Sequence, residues 1–72
     1  MLPRGDLLEL AKRHVEEGRH RVDRQRLVVH NLELAGLETK RNKDVLGLFE
    51  RQLAKFEDDH ARLSRSLQPV GF

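Results

Sequence analysis

The 72-residue chain lacks the residues that usually stabilise a protein of this size. It contains no cysteine, tryptophan or tyrosine, and it has only two prolines. Without cysteine, neither a disulfide framework nor a thiolate zinc site is available. A chain this short forms at most one small domain. Apolar packing or association with another chain must therefore provide its stability.

Neither charge nor hydropathy indicates a binding partner. Fourteen Lys and Arg against twelve Asp and Glu leave a formal charge of +2. This near balance of charge does not predict binding to nucleic acid or to an anionic membrane surface. No apolar run approaches the roughly 20 residues of a transmembrane helix, and residues 1–5 lack the apolar core of a signal peptide. We therefore expect a cytoplasmic protein with no membrane partner.

Helix-start and helix-stop signals define a first long helix. Asp6 and Glu9 have the spacing of a capping box, which predicts that the helix begins near Leu7. Gly36 can adopt the left-handed conformation that follows a helix end. The first helix is therefore expected to end at Ala35.

A second helix of similar length follows. Leu37 can fold back on Leu32 in a Schellman motif, and Thr39 is the best candidate for the next N-cap. The second helix is then expected over residues 40–67, because Pro69 cannot continue it. Each helix would be about 42 Å long at 1.5 Å per residue.

The short link between the helices predicts an all-α fold, an antiparallel two-helix hairpin. We expect a single domain over residues 1–72, with residues 1–5 and 69–72 as flexible tails. The hairpin would contain one helix over about residues 7–35 and the other over about residues 40–67.

Heptad repeats in both helices predict the seam along which they pack. The expected seam residues are Leu8, Ala11, Val15, Gly18, Val22, Gln25, Val29, Leu32, Leu46, Phe49, Leu53, Phe56, His60, Leu63 and Leu67. In an antiparallel hairpin the numbers of facing residues sum to a constant, here about 75. Gly18 would then face Phe56 and Ala11 would face Leu63, so that small residues meet large ones.

The same register places opposite charges beside each other along one edge of the hairpin. The expected pairs are Glu33 with Lys43, Arg26 with Glu50, and Arg19 with Glu57. Because an exposed pair contributes only about 0 to 1 kcal/mol, the pairs are informative about register and not about stability.

The other edge carries apolar residues outside the seam and predicts a dimer interface. These residues are Leu7, Leu10, Val28, Ala35, Val45 and Leu48. A second copy related by two-fold symmetry would cover them and complete a four-helix bundle, a homodimer. Leu27 and Leu34 add apolar surface on the outer face, which leaves a tetramer open.

Three polar residues occupy core positions. Gln25 is expected opposite Phe49, Asn42 opposite Leu32, and His60 lies in the seam. Buried polar side chains of this kind usually specify register or oligomeric state. For Gln25 and Asn42 we expect that role and not ligand binding. For His60 we expect a core histidine whose ring nitrogens bond to water or a carbonyl, with a role in register as the alternative.

His14 and Asp59 are expected at the same level of the proposed dimer interface. A protonated imidazole beside a carboxylate would strengthen association below neutral pH. Whether the pair makes the dimer pH-dependent is left open by the sequence.

Candidate catalytic and metal-binding residues are few. Two Glu-x-x-His spacings, Glu17 with His20 and Glu57 with His60, match the ligand pair of di-iron bundles. The heptad positions of the two glutamates place them on opposite sides of the hairpin. We expect no metal and no cofactor, and a metal-binding bundle is kept as a remote alternative.

No catalytic nucleophile can be named. The hydroxyl side chains are those of Thr39, Ser64 and Ser66, and none has a nearby His that a carboxylate could orient. The sequence predicts that the protein is not an enzyme.

Residues 14–26, HVEEGRHRVDRQR, and residues 31–56, NLELAGLETKRNKDVLGLFERQLAKF, resemble an uncharacterised group of short proteobacterial, rhizobia-like proteins. The resemblance implies a bacterial helical hairpin of unknown function. It implies no activity, but its recurring Gly and Thr correspond to Gly36 and Thr39, the two expected caps.

The sequence leaves two classes of function open. The first is a small helical oligomerisation or protein–protein interaction module whose protein partner is not identified. The alternative is a regulatory nucleic-acid-binding protein that uses a basic patch of Arg21, Arg24, Lys40 and Arg41.

Overall fold

Two antiparallel α-helices form the hairpin that the sequence predicts. The computed structural model describes the backbone of residues 4–67 and the side chains of residues 6–66. Helix α1 spans Arg4–Leu34 and helix α2 spans Lys40–Leu67. Within the described part of the chain there is no strand. The all-α fold class is therefore confirmed.

The hairpin is a thin rod with little interior. It measures 58 × 22 × 15 Å, and its radius of gyration is 16.7 Å. A compact chain of this length would have a radius of gyration of about 11 Å. Because the rod is only two helices thick, the hydrophobic side chains that become fully buried are those of Ala11, Val15, Val22 and Val29.

Helix α1 begins at Arg4, three residues before the predicted start at Leu7. Asp6 therefore lies inside the first turn and is not the N-cap, so the predicted capping box is wrong. A carboxylate in the first turn still stabilises the helix, because it interacts with the positive end of the helix dipole. Residues 4 and 5 belong to α1 and not to a tail; the remaining predicted tail residues lie outside the described part of the chain.

A Schellman motif ends α1, as the sequence predicts. The Leu37 amide donates to the carbonyl oxygen of Leu32 at 2.9 Å, and the Gly36 amide donates to that of Glu33 at 3.1 Å. Gly36 has a φ of 71°, which glycine adopts without a steric penalty. Ala35 is the C-cap, so the helix proper ends one residue earlier than predicted.

Helix α2 begins with a cap that differs in detail from the prediction. The Thr39 carbonyl accepts the first helical hydrogen bond, from the Lys43 amide at 2.8 Å, so Thr39 occupies the N-cap position. The capping side chain is that of Glu38. Its carboxylate accepts a hydrogen bond from the backbone amide of Lys40 at 2.8 Å. A carboxylate here satisfies a backbone donor and also favours the helix dipole.

Three ion pairs along one edge report the register of the hairpin, and all three were predicted. They are Arg19 with Glu57 at 3.5 Å, Arg26 with Glu50 at 3.3 Å, and Lys43 with Glu33 at 3.3 Å. All six side chains are about half exposed, so the pairs report the alignment of the helices and contribute little stability.

The predicted seam lies between the helices, with small residues on α1 and large ones on α2. The structure buries Ala11, Val15, Gly18, Val22 and Val29, and it half-buries Leu8, Gln25, Leu32, Leu46, Phe49, Leu53, Phe56, His60 and Leu63. The side chain of Leu67 lies outside the described residues. The larger residues of α2 keep part of their surface in water because nothing covers their outer sides in a single hairpin.

The closest approach of the helices is at Gly18. A Cβ atom at this position would lie 3.2 Å from Cδ1 of Leu53 and 3.3 Å from Cδ2 of Phe56. The predicted contact between Gly18 and Phe56 is confirmed, and Leu53 completes it. A larger side chain at Gly18 would force the helices apart.

The variant Gly18→Leu tests this contact. We expect it to lower the free energy of unfolding by about 1–3 kcal/mol, because the added side chain overpacks against Leu53 and Phe56. The matched control is Gly47→Leu. A Cβ there would meet only the end of the flexible Arg51 side chain, at 3.5 Å.

The control should be stabilised by up to about 1 kcal/mol, because leucine has the higher helix propensity. Urea unfolding followed by far-UV circular dichroism, at one protein concentration for all variants, measures both changes. Equal stability of Gly18→Leu and the parent chain would show that the described register is wrong.

Candidate interaction surface

The two edges of the hairpin differ in chemistry. The three ion pairs cover one edge. The other edge carries apolar residues that remain accessible: Leu7, Leu10, Val28 and Leu48 are 39%, 37%, 41% and 45% exposed. Ala35 is also exposed and Val45 is half-buried. We call these six residues, which the sequence predicts to form a dimer interface, the apolar flank.

At the end of the hairpin far from the link, the apolar flank opens into a groove of about 510 Å³. Its walls come from both helices. Helix α1 contributes Leu7, Leu10 and His14 among others, and helix α2 contributes Phe56, Asp59 and Leu63. In the groove, Leu7 and Leu10 of the apolar flank therefore lie beside the seam residues Phe56 and Leu63 of α2.

The predicted pairing of His14 with Asp59 is not made within one chain. The His14 ring packs against Phe56, with 5.3 Å between ring centroids and a tilt of 37°. The Asp59 carboxylate forms an ion pair with Arg62, one turn further along α2. The heptad positions predict that His14 and Asp59 lie at a similar level along the rod. They do not predict in which direction each side chain points.

Near the link, the apolar flank consists of Val28, Ala35, Val45 and Leu48. Between this patch and the groove the surface is polar and charged. The intervening positions on this edge are Glu17, Arg21 and Arg24 of α1 and Gln52 and Lys55 of α2, all of them exposed. The flank is therefore apolar at both ends and charged in the middle.

Gln25 and Asn42 are joined by hydrogen bonds that were not predicted from the sequence. The Gln25 amide nitrogen donates to the Asn42 backbone carbonyl at 3.0 Å and contacts the Asn42 side-chain oxygen at 3.2 Å. The sequence places Phe49 opposite Gln25 and Leu32 opposite Asn42, and it does not predict that the two amides reach each other. Asn42 lies nearer the link than Phe49, so the Gln25 amide bonds to a residue that is not at its own level, and residue levels alone do not predict that contact.

This bond links the helices at one defined alignment, which is the role in register that the sequence predicts for both residues. A shift of either helix by one turn would leave two half-buried amides without their partners. The sequence did contain a signal for this hydrogen bond, because Gln25 and Asn42 are both amide residues at seam positions of facing helices.

The amide pair can be tested by removing each partner. Gln25→Ala should lower the free energy of unfolding by about 0.5–1.5 kcal/mol, because it removes the contacts to both oxygens. Asn42→Ala should cost less, because the backbone carbonyl at 3.0 Å remains as an acceptor. Denaturant unfolding of the two variants gives the comparison, and a larger loss for Asn42→Ala would contradict the bonding described here.

The other predicted site residues do not converge. Among the described residues, no three His, Cys, Asp or Glu side chains group as metal ligands. Of the two Glu-x-x-His pairs, Glu57 forms an ion pair with Arg19 on the polar edge. Glu17 and His20 line a second surface depression together with Arg21. The structure thus separates the two pairs, as their heptad positions predict.

The basic residues of the nucleic-acid alternative are also apart. Arg21 and Arg24 share the second depression with the carboxylates of Glu16 and Glu17, which lower the local positive potential. Lys40 and Arg41 begin α2 at the link, about 15 Å further along the rod than Arg24. Of the candidate nucleophiles, the Ser66 hydroxyl donates to the Leu63 carbonyl at 3.1 Å.

Compared with protein families, with curated proteins and with solved structures, the chain matches none of them. The resemblance to the group of short proteobacterial proteins therefore stays a prediction. Neither of the two helices described is long and apolar enough to cross a bilayer.

Proposed function

We propose that this protein is a small non-enzymatic interaction module that self-associates through its apolar flank into a homodimeric four-helix bundle. The observation that carries the proposal is an imbalance of burial. Among the described residues, the fully buried hydrophobic side chains are four small ones, while seven large hydrophobic side chains are exposed. A single hairpin thus leaves most of its large apolar side chains in contact with water.

The total surface supports the same conclusion. The chain exposes 5907 Å², whereas a compact monomer of 8.4 kDa is expected to expose about 4600 Å². The excess of roughly 1300 Å² exceeds the ~800 Å² that each partner contributes to a standard interface. Burying the apolar flank against a second copy would remove part of this excess.

A second copy is the partner that the chain itself supplies. Small domains without disulfides or metals are commonly stabilised by oligomerisation. Covering one edge of each hairpin with the same edge of another gives a closed, two-fold arrangement that leaves the ion-paired edges in water. The apolar edge is then buried and the polar edge stays solvated.

The outer face of the dimer would offer a surface for a further protein. Leu27 and Leu34, 58% and 75% exposed, lie outside the apolar flank on the outer side of α1. A dimer would leave them accessible, so they are the residues that a protein partner or a second dimer would contact. A cytoplasmic location for this module stays a prediction from the sequence.

Self-association is tested by Val28→Asp. We expect this variant to raise the dimer dissociation constant by at least about tenfold, because it buries a charge in the interface. Sedimentation equilibrium measures the constant, and circular dichroism at high protein concentration checks that the helices remain.

The matched control is Leu27→Asp, at the neighbouring position. Leu27 is more exposed than Val28, 58% against 41%, but lies outside the apolar flank, so its substitution should leave the dimer intact. A parent chain that sediments as a monomer at high concentration would refute the proposal. Equal weakening by both variants would place the interface on another face.

A further inference from the structure

We infer that residues 68–72, Gln-Pro-Val-Gly-Phe, fold back onto the groove of their own hairpin and compete there with a second copy. These residues follow α2 in the sequence and lie outside the described part of the chain. The inference rests on the proposed function in one respect, since the groove belongs to the flank through which two copies would associate. The observations that carry it are the chemistry of the groove and its position beside the end of α2.

The groove requires an apolar occupant. Three of the polar side chains that line it already have partners in their own chain. Asp59 forms an ion pair with Arg62, and the Ser66 hydroxyl donates to the Leu63 carbonyl oxygen at 3.1 Å. A charged occupant would have to displace these contacts, whereas an apolar one would only remove exposed leucine side chains from water.

One wall of the groove suits an aromatic ring. The His14 ring packs against Phe56, with 5.3 Å between the ring centroids and a tilt of 37°. Aromatic rings pack well against such a wall, in tilted or offset geometries. The 68–72 segment contains Phe72, and Val70 adds a second apolar side chain. The segment therefore has the composition that the groove requires.

The 68–72 segment also starts at the groove. Helix α2 ends at Leu67, and its neighbour Ser66 lines the groove. Pro69 cannot continue a helix, because it has no amide hydrogen to donate. Gly71 allows the backbone to change direction, because it adopts positive φ values without a steric penalty. The segment can therefore turn back along the hairpin.

The length of the segment brings Phe72 over the groove. A reversal of the chain takes about four residues, which leaves roughly two extended residues, ~7 Å, for the return. The rise of α2 from Leu67 to Leu63 is about 6 Å, so Phe72 reaches the level of Leu63, where Leu10 forms the facing wall. Residues 1–3 precede α1 at the same end, but they are fewer than a reversal needs.

A segment attached to its own groove has an advantage over a second copy. A short tether gives an effective concentration on the order of millimolar, whereas a second copy is present only at the concentration of the protein. Leu7 and Leu10 belong both to the groove and to the apolar flank, so two hairpins can use the whole flank only after each has released its segment. If the segment occupies half of the grooves, the dimer dissociation constant rises about fourfold, a factor of two for each chain.

Docking of the segment can be measured by fluorescence, because the chain has no tryptophan. Phe72→Trp introduces a single reporter, and Leu34→Trp, at a position 75% exposed near the link, is the control. Both are measured at a low concentration where sedimentation equilibrium shows a monomer. The Phe72→Trp chain should emit at a shorter wavelength and be quenched less by acrylamide than the control, because a docked indole ring is shielded from water.

The groove is identified as the docking site by a second change. Leu10→Glu, added to the Phe72→Trp chain, should move its emission to that of the control, because it places a charge in the groove. Circular dichroism checks that each chain remains helical. Equal emission and quenching in the two single variants would overturn the inference. A shielded tryptophan that does not respond to Leu10→Glu would overturn it as well, because the segment would then dock elsewhere.

The competition with a second copy is tested by Phe72→Ser. We expect this variant to lower the dimer dissociation constant by about fourfold or more, because the segment loses its aromatic side chain and leaves the groove open. The matched control is Leu27→Ser, an apolar-to-polar change at a position 58% exposed outside the apolar flank. It should leave the constant unchanged. Sedimentation equilibrium measures both constants.

The results separate this inference from the proposed function. A dimer that Phe72→Ser leaves unchanged or weakens would rule out the competition and leave the homodimer standing. If the parent and Phe72→Ser chains both sediment as monomers at high concentration, the proposed function is wrong, and the competition is wrong with it.

Discussion

The close approach of the two helices at Gly18 is the contact on which the rest of the structure depends. Without a side chain at Gly18, α1 can lie directly against Leu53 and Phe56 of α2. Four small side chains of α1 continue the same close contact, and they are the fully buried hydrophobic residues of the described chain. This small-against-large seam sets which residues are level with each other. The ion pairs and the hydrogen bond between Gln25 and Asn42 follow from that alignment. The alignment also determines which apolar residues of the two helices lie on the same edge.

Features set by periodicity or by local backbone chemistry could be predicted from the sequence. The Schellman motif depends on one glycine at the residue after the C-cap, Gly36, and the structure has it there. The three ion pairs depend only on helix rise and link length, which fix the levels of facing residues. For the same reason the apolar flank could be located from heptad positions before any side chain was placed.

Features that depend on side-chain reach could not be predicted in the same way. The Gln25 amide hydrogen-bonds to Asn42, which lies nearer the link than the residue at the level of Gln25. Asp59 turns to Arg62 on its own helix and not to His14. The start of α1 was missed for a related reason, since an acidic residue in the first turn resembles an N-cap in sequence and satisfies the same positive helix end. The sequence pattern predicts where a residue lies on its helix, whereas these contacts depend on the conformation of the side chain.

The arrangement of the flank bears on what kind of function this fold can have. A uniformly apolar edge would bury more surface, but it would allow the second copy to bind in either direction or to slide by one turn. Charged residues between two apolar patches cost some burial, and they oppose such a slide because it would move charged side chains against apolar ones. The two ends of the hairpin also differ in chemistry. The end at the link exposes Leu34 and Leu37, 75% and 59%, whereas the far end carries the groove lined by Leu7, Leu10 and Asp59. That difference would let one end bind a protein partner that the other end does not.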